Sequence, residues 1–240
     1  MSPQTLRYGP HPSQFVQRWN ARDVADGPPP IAVVIHGGWW RDRHDLHLMD
    51  RLCEDLAARG WDAWNLEFRR TGSDGGGWPQ TLDDVLSAID LLHDTSPGRP
   101  FTVAIGHSAG GHLALLAAHA GWVDAVVAQA PITDLAACAA AGLGEGAVPL
   151  FLRSEVSLGE VPTGASPLEL LPLGLPVLVV HGDADSRVPF EHSQRYVQRA
   201  EQAGDPVTLH RLAGGDHFVV IDPTHASWSN TMGWCEALRG

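Results

Sequence analysis

Residues Phe101 to Ala118 read FTVAIGHSAGGHLALLAA, and three signals stand back to back in them. Phe101 to Ile105 is a short apolar, partly β-branched run, the pattern of a buried strand. Gly106-His107-Ser108-Ala109-Gly110-Gly111 follows without a break. Leu113 to Ala118 is Leu- and Ala-rich and has helix-forming composition. A glycine-flanked serine between a strand and a helix is the G-x-S-x-G turn that presents a nucleophilic hydroxyl. Such a turn holds Ser108 in a strained backbone conformation. Gly106 and Gly110 are needed because a Cβ at either position would meet the neighbouring strand or helix. The Ser108 hydroxyl is then raised above the sheet, close to the first free N–H groups of the helix.

Outward from this turn, strands and helices alternate. Ile31–Ile35 (IAVVI) is an unbroken apolar run, expected of a strand buried on both faces of a parallel sheet. Leu46 to Arg59 has helical spacing (Leu48, Leu52, Leu56) and stops at Gly60. Trp61–Phe68 reads as a strand, and a helix follows Pro79 to about His93. Strands at 124–130, 177–180 and 206–212 alternate with helices at 190–203 and 226–238. Phe15–Trp19 reads as an edge strand, and residues 1–14 as an extended arm or a short edge strand. The pattern specifies an α/β fold, a doubly wound, mostly parallel sheet with helices on both faces. A single domain over 1–240 is expected. Residues 132–172 lack a clear period and are expected to form a small insertion or cap.

Composition narrows the partners. The formal net charge is -12, and no basic patch is dense enough to neutralise a phosphate backbone, so nucleic-acid binding is not expected. Cys53, Cys138 and Cys235 are widely spaced, with no Cys-x-x-Cys, which suits three reduced thiols and a cytoplasmic location. No signal peptide and no membrane-spanning run is read, and no membrane partner is expected. Asp42, His44, Asp45 and His47 cluster, but at a helix start they read as a polar face, so no metal is expected. Gly75-Gly76-Gly77 lacks the Lys-Ser/Thr of a phosphate loop, and no cofactor is indicated.

A serine hydroxyl needs a base within hydrogen-bond reach, and the base needs an orienting acceptor. Around a G-x-S-x-G turn these follow in the order Ser, Asp or Glu, His, each on a loop after a later strand. HGDADSRVP follows the strand ending at Val180. It offers Asp183 and Asp185, of which Asp185, further into the loop, is favoured. Gly214-Gly215-Asp216-His217-Phe218 follows the last strand, which singles out His217 among 13 histidines. The oxyanion donors expected are the N–H of Ala109 and the N–H of Gly38 or Trp39, in the HGG loop after Ile35. Trp39, Trp40 and Trp78 are candidate substrate contacts around the mouth, with Phe151 and Leu152 as a candidate cap.

With these pieces placed, the chain resembles the α/β-hydrolase superfamily over nearly its whole length. HGG and GHSAGG are similar to hormone-sensitive-lipase-like carboxylesterases. HGGWW, and GHSAG followed by His112-Leu113, are similar to arylformamidases of the kynurenine formamidase type. The resemblance implies Ser108 as nucleophile, Asp185 as acid and His217 as base. It implies hydrolysis of small carboxylic esters or formyl amides.

Overall fold

The structure is a computed structural model that describes residues 2–22, 27–96, 98–153 and 161–239. Eight strands form one sheet. They are β1 (Gln4–Arg7), β2 (Phe15–Trp19), β3 (Ile31–Ile35), β4 (Asp62–Leu66), β5 (Thr102–His107), β6 (Ala125–Gln129), β7 (Val177–Gly182) and β8 (Val207–Leu212). Their spatial order is β1-β2-β4-β3-β5-β6-β7-β8. The two pairings of β2 are antiparallel, and every other neighbouring pair is parallel.

The apolar runs explain why the sheet is covered twice. Ile31, Val33 and Ile35 of β3 face one side with Ala104, Val126 and Val179. Ala32 and Val34 face the other with Val103, Ile105 and Val127. Helices α2 (Gln80–Thr95), α3 (Ala109–His119) and α6 (Glu191–Ala203) cover the first side, while α1 (Asp50–Ala58) and α7 (Ala226–Ala237) cover the second. Helix α3 is buried from Ala109 to Ala118, as its nearly all-apolar circumference requires.

From β3 the chain steps to β4 on one side and returns to β5 on the other. A crevice opens beyond the carboxyl ends of strands at such a reversal. The HGG loop after β3 and the Ser108 turn after β5 both emerge there.

Several expectations are revised. Phe15–Trp19 is not the edge; β1 pairs outside it, from Gln4↔Arg18 to Arg7↔Phe15. The Leu46–Arg59 helix is two pieces. The Asp45 side chain accepts from the His47 N–H and starts a 3-10 turn over Leu46–Met49, and α1 begins at Asp50. Helix α3 starts at Ala109, ahead of Leu113, because its glycines let its first turn lie against β3. The 132–172 stretch contains α4 (Leu135–Ala140), α5 (Ala147–Leu152) and a 3-10 turn over Pro167–Leu170. Its residues 154–160 lie outside the described residues, as do Met1 and Gly240 at the ends. Among the described residues no helix is long and apolar enough to cross a membrane.

Candidate active site

Ser108 sits between β5 and α3 at φ 55°, ψ -115°. A non-glycine residue held there stores about 1–3 kcal/mol that the surroundings must supply. The restraints are visible. The Ser108 N–H donates to the Gln129 carbonyl (2.8 Å), and the Ser108 carbonyl accepts from the His112 N–H (3.1 Å). A Cβ on Gly106 would overlap the Gly110 carbonyl, and one on Gly110 would overlap the Ile35 carbonyl. The two flanking glycines therefore let the strand, the turn and the helix start touch through bare backbone.

The loop after β7 delivers Asp185, and the loop after β8 delivers His217. His217 Nδ1 donates to Asp185 Oδ2 at 2.6 Å. The same oxygen lies 3.1 Å from His181 Nε2, while Oδ1 accepts from the Arg187 and Val188 N–H groups at 2.7 and 2.9 Å. Burial works to raise the Asp185 pKa, but the hydrogen bonds from His181, His217 and the backbone outweigh it and hold the carboxyl well below the usual range. An ionised carboxylate only accepts, so Nδ1 of His217 carries its proton and Nε2 is left as the free acceptor. Asp183 is turned away, to Arg211 and the Gly214 N–H. Asp216 accepts from the Phe218 and Val219 N–H groups of its own loop.

The HGG loop lies directly on the serine turn. A Cβ on Gly37 would stand 2.8 Å from His107 Nδ1 and 3.0 Å from Ser108 Cβ. Gly38 has φ 112°, and Trp39 and Trp40 follow at 57° and 56°, so the backbone turns sharply past the hydroxyl. His36 anchors the loop from below. Its Nε2 lies 3.1 Å from Glu67 Oε1, and its ring stacks on Phe68 at 4.4 Å.

Ser108, His217, Gly38 and Trp39 share the lining of one cavity of about 90 Å³. The remaining tryptophans depart from expectation. Trp40 is 1% exposed and stacks on Phe151 at 4.3 Å, so it is core rather than cleft wall. Trp78 packs against the same Phe151, which is itself fully buried. Phe151 thus braces the HGGWW loop from behind, and neither it nor the buried Leu152 is among the cavity-lining residues. Trp39 is covered on one side by Gly144, whose carbonyl accepts from Arg41 Nη2 at 2.7 Å.

Two histidines of the site escape a reading of the sequence alone. His181, four residues before Asp185, accepts from the Ser193 hydroxyl at Nδ1 and so presents Nε2–H to the carboxylate. His107, one residue before Ser108, donates Nε2–H to the His217 carbonyl at 2.9 Å. Burial and the nearby His217 bring its pKa down to about 3, which keeps it neutral. Each flanks a motif residue, which is the signal that could have found it. The Asp42–His47 cluster does not converge: Asp42 holds Ser73, and His47 holds Asp50. Among the described residues no group of three or more His, Cys, Asp or Glu could hold a metal ion.

The sheet order and the loops that bring Ser108, Asp185 and His217 to one crevice are those of the α/β-hydrolase fold. The esterase Est2 of Thermogutta terrifontis shares it, with a TM-score of 0.77 over 99% of this chain and 91% of that one, at 21% identity. Residues 59–233 match the Prolyl oligopeptidase family, Peptidase_S9, and the chain belongs to that family. Esterase LipC of Mycobacterium tuberculosis is 27% identical over 90% of this chain, and the probable carboxylic ester hydrolase LipM of the same organism 28% over 83%. The chain spans 59% and 52% of those two relatives.

Proposed function

We propose that the chain is a serine hydrolase that cleaves small carboxylic esters through an acyl-enzyme. Ser108 is the nucleophile in this reading, His217 the base and Asp185 its orienting acid. The carrying observation is the 2.6 Å Asp185–His217 contact on a histidine that shares one small cavity with a serine at positive φ. His217 Nε2 takes the Ser108 proton as Oγ attacks the ester carbonyl. Asp185 keeps the imidazole in the right tautomer and stabilises the imidazolium. The N–H of Ala109 and that of Gly38 or Trp39 receive the developing oxyanion, each worth about 3–4 kcal/mol. His217 then returns the proton to the leaving alcohol, and water cleaves the acyl-enzyme by the same steps.

The cavity volume favours short acyl groups, and the named activities of LipC and LipM put esters ahead of peptides. Trp39 and Phe218 in the lining also suit an aromatic leaving group, which keeps formyl arylamides as a second substrate class. The test is hydrolysis of p-nitrophenyl acetate, butyrate and octanoate beside N-formyl-kynurenine, with Ser108→Ala as the blank. The expected result is a clear preference for the short esters, and a loss of about ten-thousandfold or more in kcat/KM in Ser108→Ala. A preference for the formamide would move the assignment to the second class. Turnover that survives in Ser108→Ala would remove the serine mechanism.

A further inference from the structure

The cleft reverses the charge of the molecule. The chain carries 28 acidic and 16 basic residues, and every basic one is an arginine. Among the described residues, ten of the sixteen arginines hold a carboxylate oxygen within 4.0 Å. Arg43 and Arg187 are not among them, and both line the cavity that holds Ser108 and His217. Among the described residues no Asp or Glu lines it.

The neighbouring acids are occupied elsewhere. Asp42 accepts from the Ser73 N–H and hydroxyl, and Asp45 from the His47 N–H. Asp185 spends both oxygens on His217, His181 and backbone N–H groups. The two arginines come from different loops yet line one cavity. His44, between them, has its pKa lowered first by burial and then by Arg43, His36 and Arg187 together. That shift disfavours a third cation beside the two arginines.

The same rim carries an exposed aromatic ring. Phe218 is 43% exposed, one of two large apolar side chains so exposed among the described residues. The Arg187 guanidinium carbon lies 5.3 Å from its ring centroid, and that centroid lies 5.3 Å from the His217 ring. A ring, two arginines with no carboxylate partner among the described residues, and the base thus stand around one mouth. Both arginines are exposed and can be reached from solvent, and charge-assisted hydrogen bonds from two guanidiniums to one carboxylate are of the strong kind.

We infer that the substrate is an ester bearing a carboxylate, with its apolar body on Phe218 and its carboxylate between Arg43 and Arg187. The inference rests on the ester-hydrolase reading above and sharpens it. A net charge of -12 repels anions at long range, and a local positive mouth with low-dielectric walls is what allows one to be held.

Two substrate pairs test it and separate the two ends of the ester. Para-acetoxybenzoate against para-acetoxybenzamide places the charge on the leaving group. Monophenyl adipate against phenyl hexanoate places it on the acyl chain. The expected result is a kcat/KM ratio favouring the anion by at least about tenfold in one pair, which identifies the charged end. The ratio should collapse to about unity in Arg43→Gln/Arg187→Gln. It should recover in part in Arg43→Lys/Arg187→Lys, and shrink as salt is raised. Ratios near unity in both pairs, or a preference that persists in the Gln variant, overturn the inference. If the neutral esters are cleaved in a Ser108-dependent way, the hydrolase reading survives that outcome. If no ester is cleaved above the Ser108→Ala blank, both readings fall together.

Discussion

Gly37→Ala separates catalytic geometry from stability. Gly37 does not have a positive φ, so alanine fits its backbone, and the effect of the substitution is steric. The new Cβ would stand 2.8 Å from His107 Nδ1, 2.9 Å from the His107 carbonyl and 3.0 Å from Ser108 Cβ. None of these neighbours can yield freely. His107 is buried and tied to the His217 carbonyl, and Ser108 is held at both ends of its peptide. The HGG loop must therefore lift by several tenths of an ångström, which carries the Gly38 and Trp39 N–H groups off the proposed oxyanion position. Loss of one such donor costs about a hundred- to thousandfold in kcat. Overpacking of this kind costs about 1–3 kcal/mol, or roughly 2–12 °C in Tm for a chain of this size. Gly121→Ala is the control. Its φ is 79° with open space around the Cβ, so it pays backbone strain and sits outside the cleft. The assay is kcat and KM for a short p-nitrophenyl ester at a temperature where both variants are folded, beside thermal melts. The expected result is two decades lost in kcat for Gly37→Ala, with both variants destabilised. A Gly37→Ala kcat within threefold of wild type would refute the oxyanion placement.

Two further outcomes follow from burial. Burial pushes His112 down to about 4, from an ordinary 6.5, so between those values the unfolded chain binds the extra proton and the folded one does not. Stability is complete above pH 6.5 and falls toward pH 4 by about 1.4 kcal/mol per pH unit from this residue. In His112→Gln, which keeps a donor for the Ala165 carbonyl, urea unfolding from pH 6.5 to 4.5 should show a slope smaller by that amount. Parallel slopes would discount the buried neutral imidazole. Trp40→Ala should cost about 3–5 kcal/mol by denaturant unfolding, because its ring is wholly enclosed against Phe151 and His112. KM for a short ester should stay close to wild type. A large KM change with little loss of stability would return Trp40 to the cleft wall.

Much of this was legible because it rests on local rules. FTVAIGHSAGG is a strand and a turn whose glycines have one steric reason, and Ile31–Ile35 can only be a strand covered on both faces. The order of Ser108, Asp185 and His217 along the chain, each just past a strand, follows from where an open sheet places its crevice. Boundaries were read less well. The helix expected from Leu46 is a 3-10 turn over Leu46–Met49 followed by α1 from Asp50, a change of helix type that no hydrophobic period records. Gln4–Arg7 becomes a strand through its pairing with β2, since its own apolar content is too small to announce it.

Sequence alone determined the alternation of strands and helices, the position of the strained serine, and which carboxylate and histidine follow the later strands. Tertiary structure alone decided which side chains share the cleft. Trp39 and Trp40 are adjacent and their rings meet edge to face at 6.4 Å, yet Trp39 lines the cavity while Trp40 stacks on Phe151 behind it. His181 and His107 reach the site from the ends of β7 and β5, and Arg43 and Arg187 line one cavity from loops far apart in the chain. Periodicity reports which face of an element is buried; it carries nothing about what stands opposite that face.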